Sequence, residues 1–294
     1  PNIERVVTGL RDCQNAIGSG YVSAFPETFI DRVIAREKVW APWYTLHKVG
    51  QGLLDAHVIS ETPLAGDVCR KFIGWIQQRM DALSDTELQR MLEIEHGGMS
   101  DFLAQAAIVF DDAAVLALAK RFLHRDVISA IQEDNWKWFE GRHANTQIPI
   151  VIGMARIGIL ESNNELIDAA AAFVNQVLTG WTYPNGGNSD LEHFGLFGRQ
   201  HDHFSAETSE TCNTHNLAKL VTLLSVVGMG VILFIAVAPP NERVLYVVAG
   251  FVALALVVWV AVENRRFEGP PTGDRIAARK AAIAAAEAAV GEKA

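Results

Sequence analysis

Apolar side chains recur every three or four residues through most of the first 219 positions. In residues 102–124 the recurring positions include Leu103, Ala106 and Phe110, which share one face of an α-helix. The same spacing occurs in three further segments, 68–83, 148–160 and 165–178. Strand-like alternation is scarce, so the pattern predicts an all-α domain built from helix pairs that are joined by polar loops.

The pattern changes at residue 220. Residues 220–238 and residues 244–262 each form a run of 19 residues without a charged side chain. A helix of that length spans roughly 28 Å, close to the hydrocarbon thickness of a bilayer. The short polar run 239–243 separates the two. We predict a transmembrane helical hairpin over 220–263; the alternative is a pair of helices buried in a soluble core.

Basic residues near the apolar runs predict the orientation of this hairpin. The connecting loop holds only Arg243, whereas the outer flanks hold several basic residues: Lys219, Arg265, Arg266, Arg275, Arg279 and Lys280. Because cytoplasmic flanks are enriched in Lys and Arg, both termini are predicted to be cytoplasmic. The Ala-rich tail 264–294 is expected to form a helix, which either lies on a surface or partner or is simply solvated.

Charge and cysteine content narrow the function. The formal net charge is −9, and no cluster of Lys and Arg precedes residue 265, so nucleic acid is excluded as a main partner. The three cysteines, Cys13, Cys69 and Cys212, are widely spaced and do not form a disulfide framework. We expect Cys13 and Cys69 to be buried as small hydrophobic side chains.

Five of the predicted loops are rich in Gly, His, Trp and Asn. They are GYVSAFPE at 20–27, VWAPWYTLHK at 39–48, EHGGM at 95–99, GRHANTQ at 141–147 and GGNSDLEHF at 186–194. Sugar rings stack on aromatic faces and their hydroxyl groups need paired donors and acceptors, so these loops favour a sugar-binding cleft. Trp40, Trp43 and Tyr44 form either a stacking platform in that cleft or plain packing between helices.

These segments resemble the bacterial β-L-arabinofuranosidase glycoside hydrolase family. The matching motifs run from residue 20 to residue 216 in the family's order: GYVSAFPETFIDR, VWAPWYTLHKVGQGLLDAH, EHGGMSDFLA, GRHANTQIP, GGNSDLEHFG and ETCNTHN. The resemblance implies an (α/α)6 toroid, which the family follows with β-domains. Because it stops near Lys219, we expect an incomplete toroid-like domain over residues 1–219.

The resemblance also implies roles for individual residues. The family uses a cysteine nucleophile held by zinc and a glutamate general acid/base, and Glu192 matches that glutamate. Glu210 and Cys212 match two zinc ligands. Five further residues are expected to contact the sugar: His47, His96, His143, Trp43 and Tyr44. Zinc usually takes four protein ligands in a closed site, so the expected site is incomplete, and no other cofactor is implied.

The chain departs from the family after the ETC motif. The family's nucleophile belongs to an adjacent cysteine pair far downstream, and this sequence has no cysteine after Cys212. Nearby side chains are either substitute metal ligands or exposed loop residues: His201, Asp202, His203, Glu207 and His215. Covalent displacement requires a nucleophile, so its loss argues against the family's reaction.

We therefore predict a membrane-anchored, glycoside-hydrolase-like pseudoenzyme that serves as a structural or accessory subunit of a membrane complex. An incomplete ring of helices exposes apolar faces, which predicts a membrane-protein partner over the open side, besides the lipid bilayer and a possible glycan. Two alternatives stay open. One is an active, membrane-tethered β-L-arabinofuranosidase-type enzyme, and the other is a truncated or fused gene product without a selected function.

Overall fold

The structure is a computed structural model that describes residues 2–237 except Ser209, together with residues 256, 257, 260, 277, 278 and 281. Side chains are described up to residue 225 and at those six later positions. The chain divides into two compact units, residues 1–228 and 229–294. The predicted loop 239–243, nearly all of the second apolar run 244–262 and nearly all of the tail 264–294 lie outside the described residues.

The described part of the chain is helical. Its α-helices are α1 Asn2–Ile17, α2 Thr28–Ile34, α3 Pro42–Val58, α4 Pro63–Asp81, α5 Asp85–Leu92, α6 Met99–Phe110, α7 Ala113–Arg121, α8 Arg125–Gln132, α9 Ala144–Glu161, α10 Asn164–Gln176 and α11 Thr211–Val237. Short 3-10 helices cover Trp136–Phe139 and Gln200–His203, and one turn of π-helix covers Val177–Trp181. These residues contain two isolated β-bridges and no strand, which confirms the predicted all-α class.

Three helix pairs organise residues 1–228. They are α3 with α4, α6 with α7, and α9 with α10, and the first helices of successive pairs pack side by side, α3 on α6 and α6 on α9. Helix α1 packs on α4. This arrangement of helix pairs is consistent with a helical toroid domain. Helix α9 is buried nearly all round, because the apolar residues of 148–160 face both neighbouring helices.

One predicted helix proves to be two. The apolar stripe of residues 102–124 suggested a continuous helix, but the chain turns back between α6 and α7. Asp111 ends α6 in the left-handed conformation with φ 51°. The Asp112 side chain then accepts hydrogen bonds from the backbone N–H groups of Ala114 at 2.8 Å and Val115 at 3.4 Å. These two bonds cap the start of α7. Two consecutive aspartates therefore divide one apolar stripe between two antiparallel helices.

A buried carboxylate joins α6, α9 and α11. The Asp101 side chain is 7% exposed, and its two oxygens contact Arg156 of α9 and the Lys219 Nζ atom of α11, the latter at 2.8 Å. Gln105 donates a further hydrogen bond of 3.0 Å to Asp101. A carboxylate taken out of water is stable only when it is neutralised and hydrogen-bonded, so this cluster holds the three helices together.

The first apolar run begins inside the helical domain. Helix α11 includes residues 220–237, and the Leu217 and Leu220 side chains are buried in the core formed around α9 and α10. Leu220 is thus packed against protein, and the compact unit extends nine residues past the predicted boundary at 219, to residue 228. In the part of the chain that the structure describes, no helix combines the length and the apolar character needed to cross a membrane.

The two cysteines expected to be buried differ from each other. Cys69 lies fully buried within α4, as predicted, and burial raises the pKa of its thiol to about 12. Cys13 is exposed on α1, which corrects the prediction for that residue. The correction follows from the outer position of α1, which packs on α4 with one face only.

We predict that Asp101→Asn lowers the free energy of unfolding by about 3 kcal/mol, because Arg156 and Lys219 lose the charge that neutralises them. Urea unfolding of the full chain measures this change. Asp85→Asn is the matched control, since the Asp85 carboxylate also pairs with two arginines but is 60% exposed, and it should cost less than about 1 kcal/mol. Equal losses from the two variants would contradict the role given to Asp101.

Candidate active site

The beginnings of α3, α6, α9 and α11 meet at one place. Gly98, which precedes α6, lies against the His47 ring of α3, so closely that an added Cβ would stand 2.5 Å from the Nε2 atom. The Asn216 side chain of α11 donates a buried hydrogen bond of 2.7 Å to Asn145 of α9. Four of the unusual loops identified in the sequence therefore surround a common cleft.

A row of aromatic and imidazole rings lines this cleft. The centroid of the Tyr44 ring lies 4.9 Å from that of His47 and 5.8 Å from that of His96. The His96 ring in turn stacks on His143, with centroids 5.8 Å apart and an interplanar angle of 29°. The structure thus brings together four of the five residues that the sequence assigned to the sugar site.

Glu192 stands at the end of the row. Its Oε2 atom lies 3.4 Å from the Nε2 atom of His143, and its side chain is 61% exposed. The backbone N–H of Ala144 donates to the Glu192 carbonyl at 2.8 Å, which fixes this loop to the start of α9. Glu192 itself has φ 68°, a strained conformation for a residue with a side chain. The carboxylate is therefore held at the open edge of the cleft.

Glu210 and Cys212 lie close enough to Tyr44 for their charges to act on its hydroxyl group. The pKa of Tyr44 is raised by burial and further by the charges of Cys212 and Glu210, while a hydrogen bond with Asn145 lowers it. Burial raises the pKa of the Cys212 thiol, and so do its hydrogen bond with Glu210 and the charge of that carboxylate; the ammonium group of Lys48 opposes them. The second oxygen of Glu210, Oε2, is buried without a hydrogen-bond partner.

These two residues do not by themselves fit a zinc ion. An unpartnered carboxylate oxygen beside a thiol is a suitable pair of donors, but zinc in a closed site takes four. Within the described ranges, no three or more side chains of His, Cys, Asp or Glu form a group that could hold a metal ion. His201, Asp202, His203, Glu207 and His215 therefore do not complete the site, and His201 instead pairs with Asp202 at 3.1 Å.

Trp43 does not belong to the cleft. Its side chain is 1% exposed, contacts Trp75 and Phe122, and donates from Nε1 to the Met91 sulfur at 3.1 Å. A ring with no accessible face cannot stack on a sugar, so the expected substrate contact is corrected to a packing role. Trp40, three residues earlier, is the exposed aromatic, and its ring edge lies on His96 with centroids 5.8 Å apart.

Glu95 is the main residue that sequence reasoning missed. It is buried under the cleft, and burial raises the pKa of its carboxyl to about 8, although hydrogen bonds from the backbone N–H groups of His96, Trp43 and Tyr44 lower it. Two of those groups belong to the first turn of α3, so Glu95 caps that helix from another part of the chain. Its place in the EHGG motif was the available signal.

The two glycines of that motif allow the loop to enter the cleft. A Cβ on Gly97 would stand 2.3 Å from the Cγ1 atom of Ile150, and Gly98 has φ 127°, which side-chain-bearing residues rarely adopt. His47 and His96 are consequently enclosed. Burial lowers the pKa of His47 to about 3 and that of His96 to about 4, so both imidazoles are neutral near pH 7 and can donate and accept hydrogen bonds.

Comparison with known proteins supports a relationship over the same region. The family model described as beta-L-arabinofuranosidase, GH127 catalytic domain, matches residues 1–228. Its end coincides with the end of the first compact unit. No curated protein matches the chain.

We predict that Glu95→Gln removes part of the pH dependence of stability. A folded pKa of about 8 against an ordinary value of 4.5 means that the natural chain loses stability as pH rises between those values. The neutral amide cannot ionise, so from pH 5 to pH 8 the free energy of unfolding of the variant should rise by about 3 kcal/mol relative to that of the natural chain. Urea unfolding at both pH values measures this.

The matched control for that experiment is Glu93→Gln, two residues away. The Glu93 side chain is 50% exposed and pairs with Arg36 on the surface, so this variant should keep the pH dependence of the natural chain. If Glu95→Gln and Glu93→Gln showed the same pH profile, the buried, uncharged state of Glu95 would be refuted.

Proposed function

Because the chain belongs to the family with the GH127 β-L-arabinofuranosidase catalytic domain, we propose that residues 1–228 keep the family's saccharide cleft but not its thiolate chemistry. The observation that carries this proposal is the cysteine inventory. Cys212 shares the cleft with Glu210, whereas Cys69 is buried in the core, Cys13 is exposed on α1, and no cysteine follows Cys212 in the sequence. By the resemblance, Cys212 matches a zinc ligand and not the nucleophile, so covalent displacement would need another thiolate beside it.

The cleft residues that remain are suited to binding. Neutral His47 and His96 offer donors and acceptors to sugar hydroxyl groups, and the Tyr44 ring offers an apolar edge between them. Two buried polar atoms at the cleft, His143 Nδ1 and Glu210 Oε2, have no hydrogen-bond partner in the described part of the chain. Buried polar groups without partners cost free energy, and a polyhydroxylated ligand would offset part of that cost.

The domain is proposed to act at a membrane, as an accessory subunit. The support is the uncharged run 244–262, which is by itself long enough to cross a bilayer. The run 220–238 is also uncharged, but it begins in the core of the domain, and its remainder 229–238 would span only about 15 Å. If both runs cross the bilayer as a hairpin, the basic flanks favour a cytoplasmic location for both termini. An apolar groove between α1 and α3, of about 560 Å³ and lined by Ile3, Val6 and Ile59, supports a protein partner.

A second candidate function is retained glycoside hydrolysis. It is favoured by one observation, the contact between His143 and Glu192 at 3.4 Å. A carboxylic acid at the cleft edge could protonate a leaving oxygen, and the histidine would orient it. This candidate requires a nucleophile or an activated water molecule that the described residues do not identify, and we therefore place it second.

We predict that the purified full chain does not hydrolyse an aryl β-L-arabinofuranoside above the uncatalysed rate and contains less than one zinc per chain by elemental analysis. Release of the aryl alcohol measures the first outcome. The decisive variant is Glu192→Gln. The control is Glu207→Gln, which replaces an exposed carboxylate on a nearby loop. Hydrolysis that is lost in Glu192→Gln and kept in Glu207→Gln would establish the second candidate instead.

We predict that deletion of residues 229–263 releases the helical domain from membranes into the soluble fraction. The deletion begins after residue 228 because Leu217 and Leu220 belong to the core and must be kept. Fractionation after an alkaline wash measures the distribution, with the natural chain expected to stay in the pellet. A natural chain that is extracted by the wash, or a deletion variant that stays in the pellet, would contradict the membrane anchor.

A further inference from the structure

Trp40 is a large apolar side chain left open at the rim of a polar cleft. Its side chain is 86% exposed, the highest value among the exposed large hydrophobic residues of the described part. The His96 ring lies nearly perpendicular to it, with centroids 5.8 Å apart, and the 86% exposure leaves most of the indole open to solvent. An indole with a free face beside hydrogen-bonding groups has the amphipathic character that sugar rings match, since they present C–H groups on a face and hydroxyl groups around it.

The backbone next to this ring has a defined conformation. Ala41 is buried and has the left-handed conformation, with φ 36° and ψ 55°, and Pro42 follows as the first residue of α3. Proline fixes its own φ, and a strained residue persists only where its surroundings impose it. The backbone at Trp40 is therefore set in advance, and a ligand that binds the indole has only the side chain to order.

The position of Trp40 along the row of rings indicates which part of a ligand it would contact. Proceeding from Glu192, the chain of contacts passes to His143, then to His96, and then to Trp40. Each ring-to-ring step is 5.8 Å. A sugar unit that lies between Glu192 and His96 would not reach Trp40. The neighbouring sugar unit of the same ligand would contact Trp40 instead.

We propose that Trp40 forms a second saccharide subsite, whose exposed indole face stacks on the next sugar unit of a β-L-arabinofuranosyl chain. This inference rests on the proposed saccharide cleft and deepens it, because it commits the cleft to a ligand of at least two units. The residue acts by binding and takes no part in bond cleavage.

The test measures binding of one-unit and two-unit ligands to the full chain by titration calorimetry. The probes are methyl β-L-arabinofuranoside and an S-linked β-L-arabinofuranosyl disaccharide, which resists hydrolysis. The natural chain should bind the disaccharide about tenfold more tightly than the monosaccharide. Trp40→Ala should lose that tenfold preference and leave monosaccharide affinity unchanged, whereas Trp40→Phe should keep most of the preference because it retains an aromatic face.

The control is Ile59→Ala at the opposite end of α3. Ile59 is likewise an exposed apolar residue, 76% exposed, and its replacement should change neither affinity. Tryptophan fluorescence adds a second readout, since the disaccharide should shift the emission of the natural chain but not that of Trp40→Phe. Because the Trp40 side chain is outside the core, circular dichroism should show that all three variants fold.

The outcomes separate this inference from the proposal that it rests on. If both sugars bind the natural chain and Trp40→Ala weakens them equally or not at all, the subsite is refuted while the saccharide cleft stands. If neither sugar binds the natural chain, the saccharide cleft and the subsite are both refuted.

Discussion

The contact that the rest of the structure depends on is the buried ion cluster of Asp101. One carboxylate in α6 contacts Arg156 of α9 and Lys219 of α11, and these are three of the helices whose first turns carry the cleft. Separating them would leave a charge of either sign away from water, which costs several kcal/mol per ion. The relative positions of these first turns are therefore held by the ion cluster together with the direct contacts between the cleft residues.

Within that frame, the cleft is assembled by backbone approach. The EHGG loop lies against α9 and His47 because neither Gly97 nor Gly98 carries a Cβ, and Glu95 caps α3 from beneath. The result is an enclosed group of neutral imidazoles with unpartnered polar atoms and an exposed carboxylate at its edge. These properties support the proposal of an uncharged, polyhydroxylated ligand. The donor set for a metal is by contrast restricted to Glu210 and Cys212.

Much of the fold follows from local pattern. The segments 148–160 and 165–178 form α9 and α10, and the Asn163 side chain caps α10 by accepting the Leu166 N–H at 3.3 Å, so both helices were predictable from periodicity and capping. The division of 102–124 at Asp111 was not, because the stripe of apolar residues has the same period on both sides of the turn. His47, His96, His143 and Tyr44 were found through motifs, since His and Tyr in Gly-rich loops are distinctive chemistry. Glu95 was missed because its importance comes from burial, which its place in the EHGG motif does not by itself reveal.

By itself, the sequence determined that the first part of the chain is helical, that it carries a family's cleft motifs in order, and that uncharged apolar runs follow residue 219. Only the tertiary structure decided which tryptophan is a core residue. Trp43 and Trp40 are three positions apart in one motif, yet one is enclosed by Trp75 and Phe122 and the other is open to solvent. It likewise decided that Leu220 belongs to the core around α9 and α10. The reason is that hydrophobicity is a property of a side chain, whereas burial is a property of the surfaces that long-range packing brings against it.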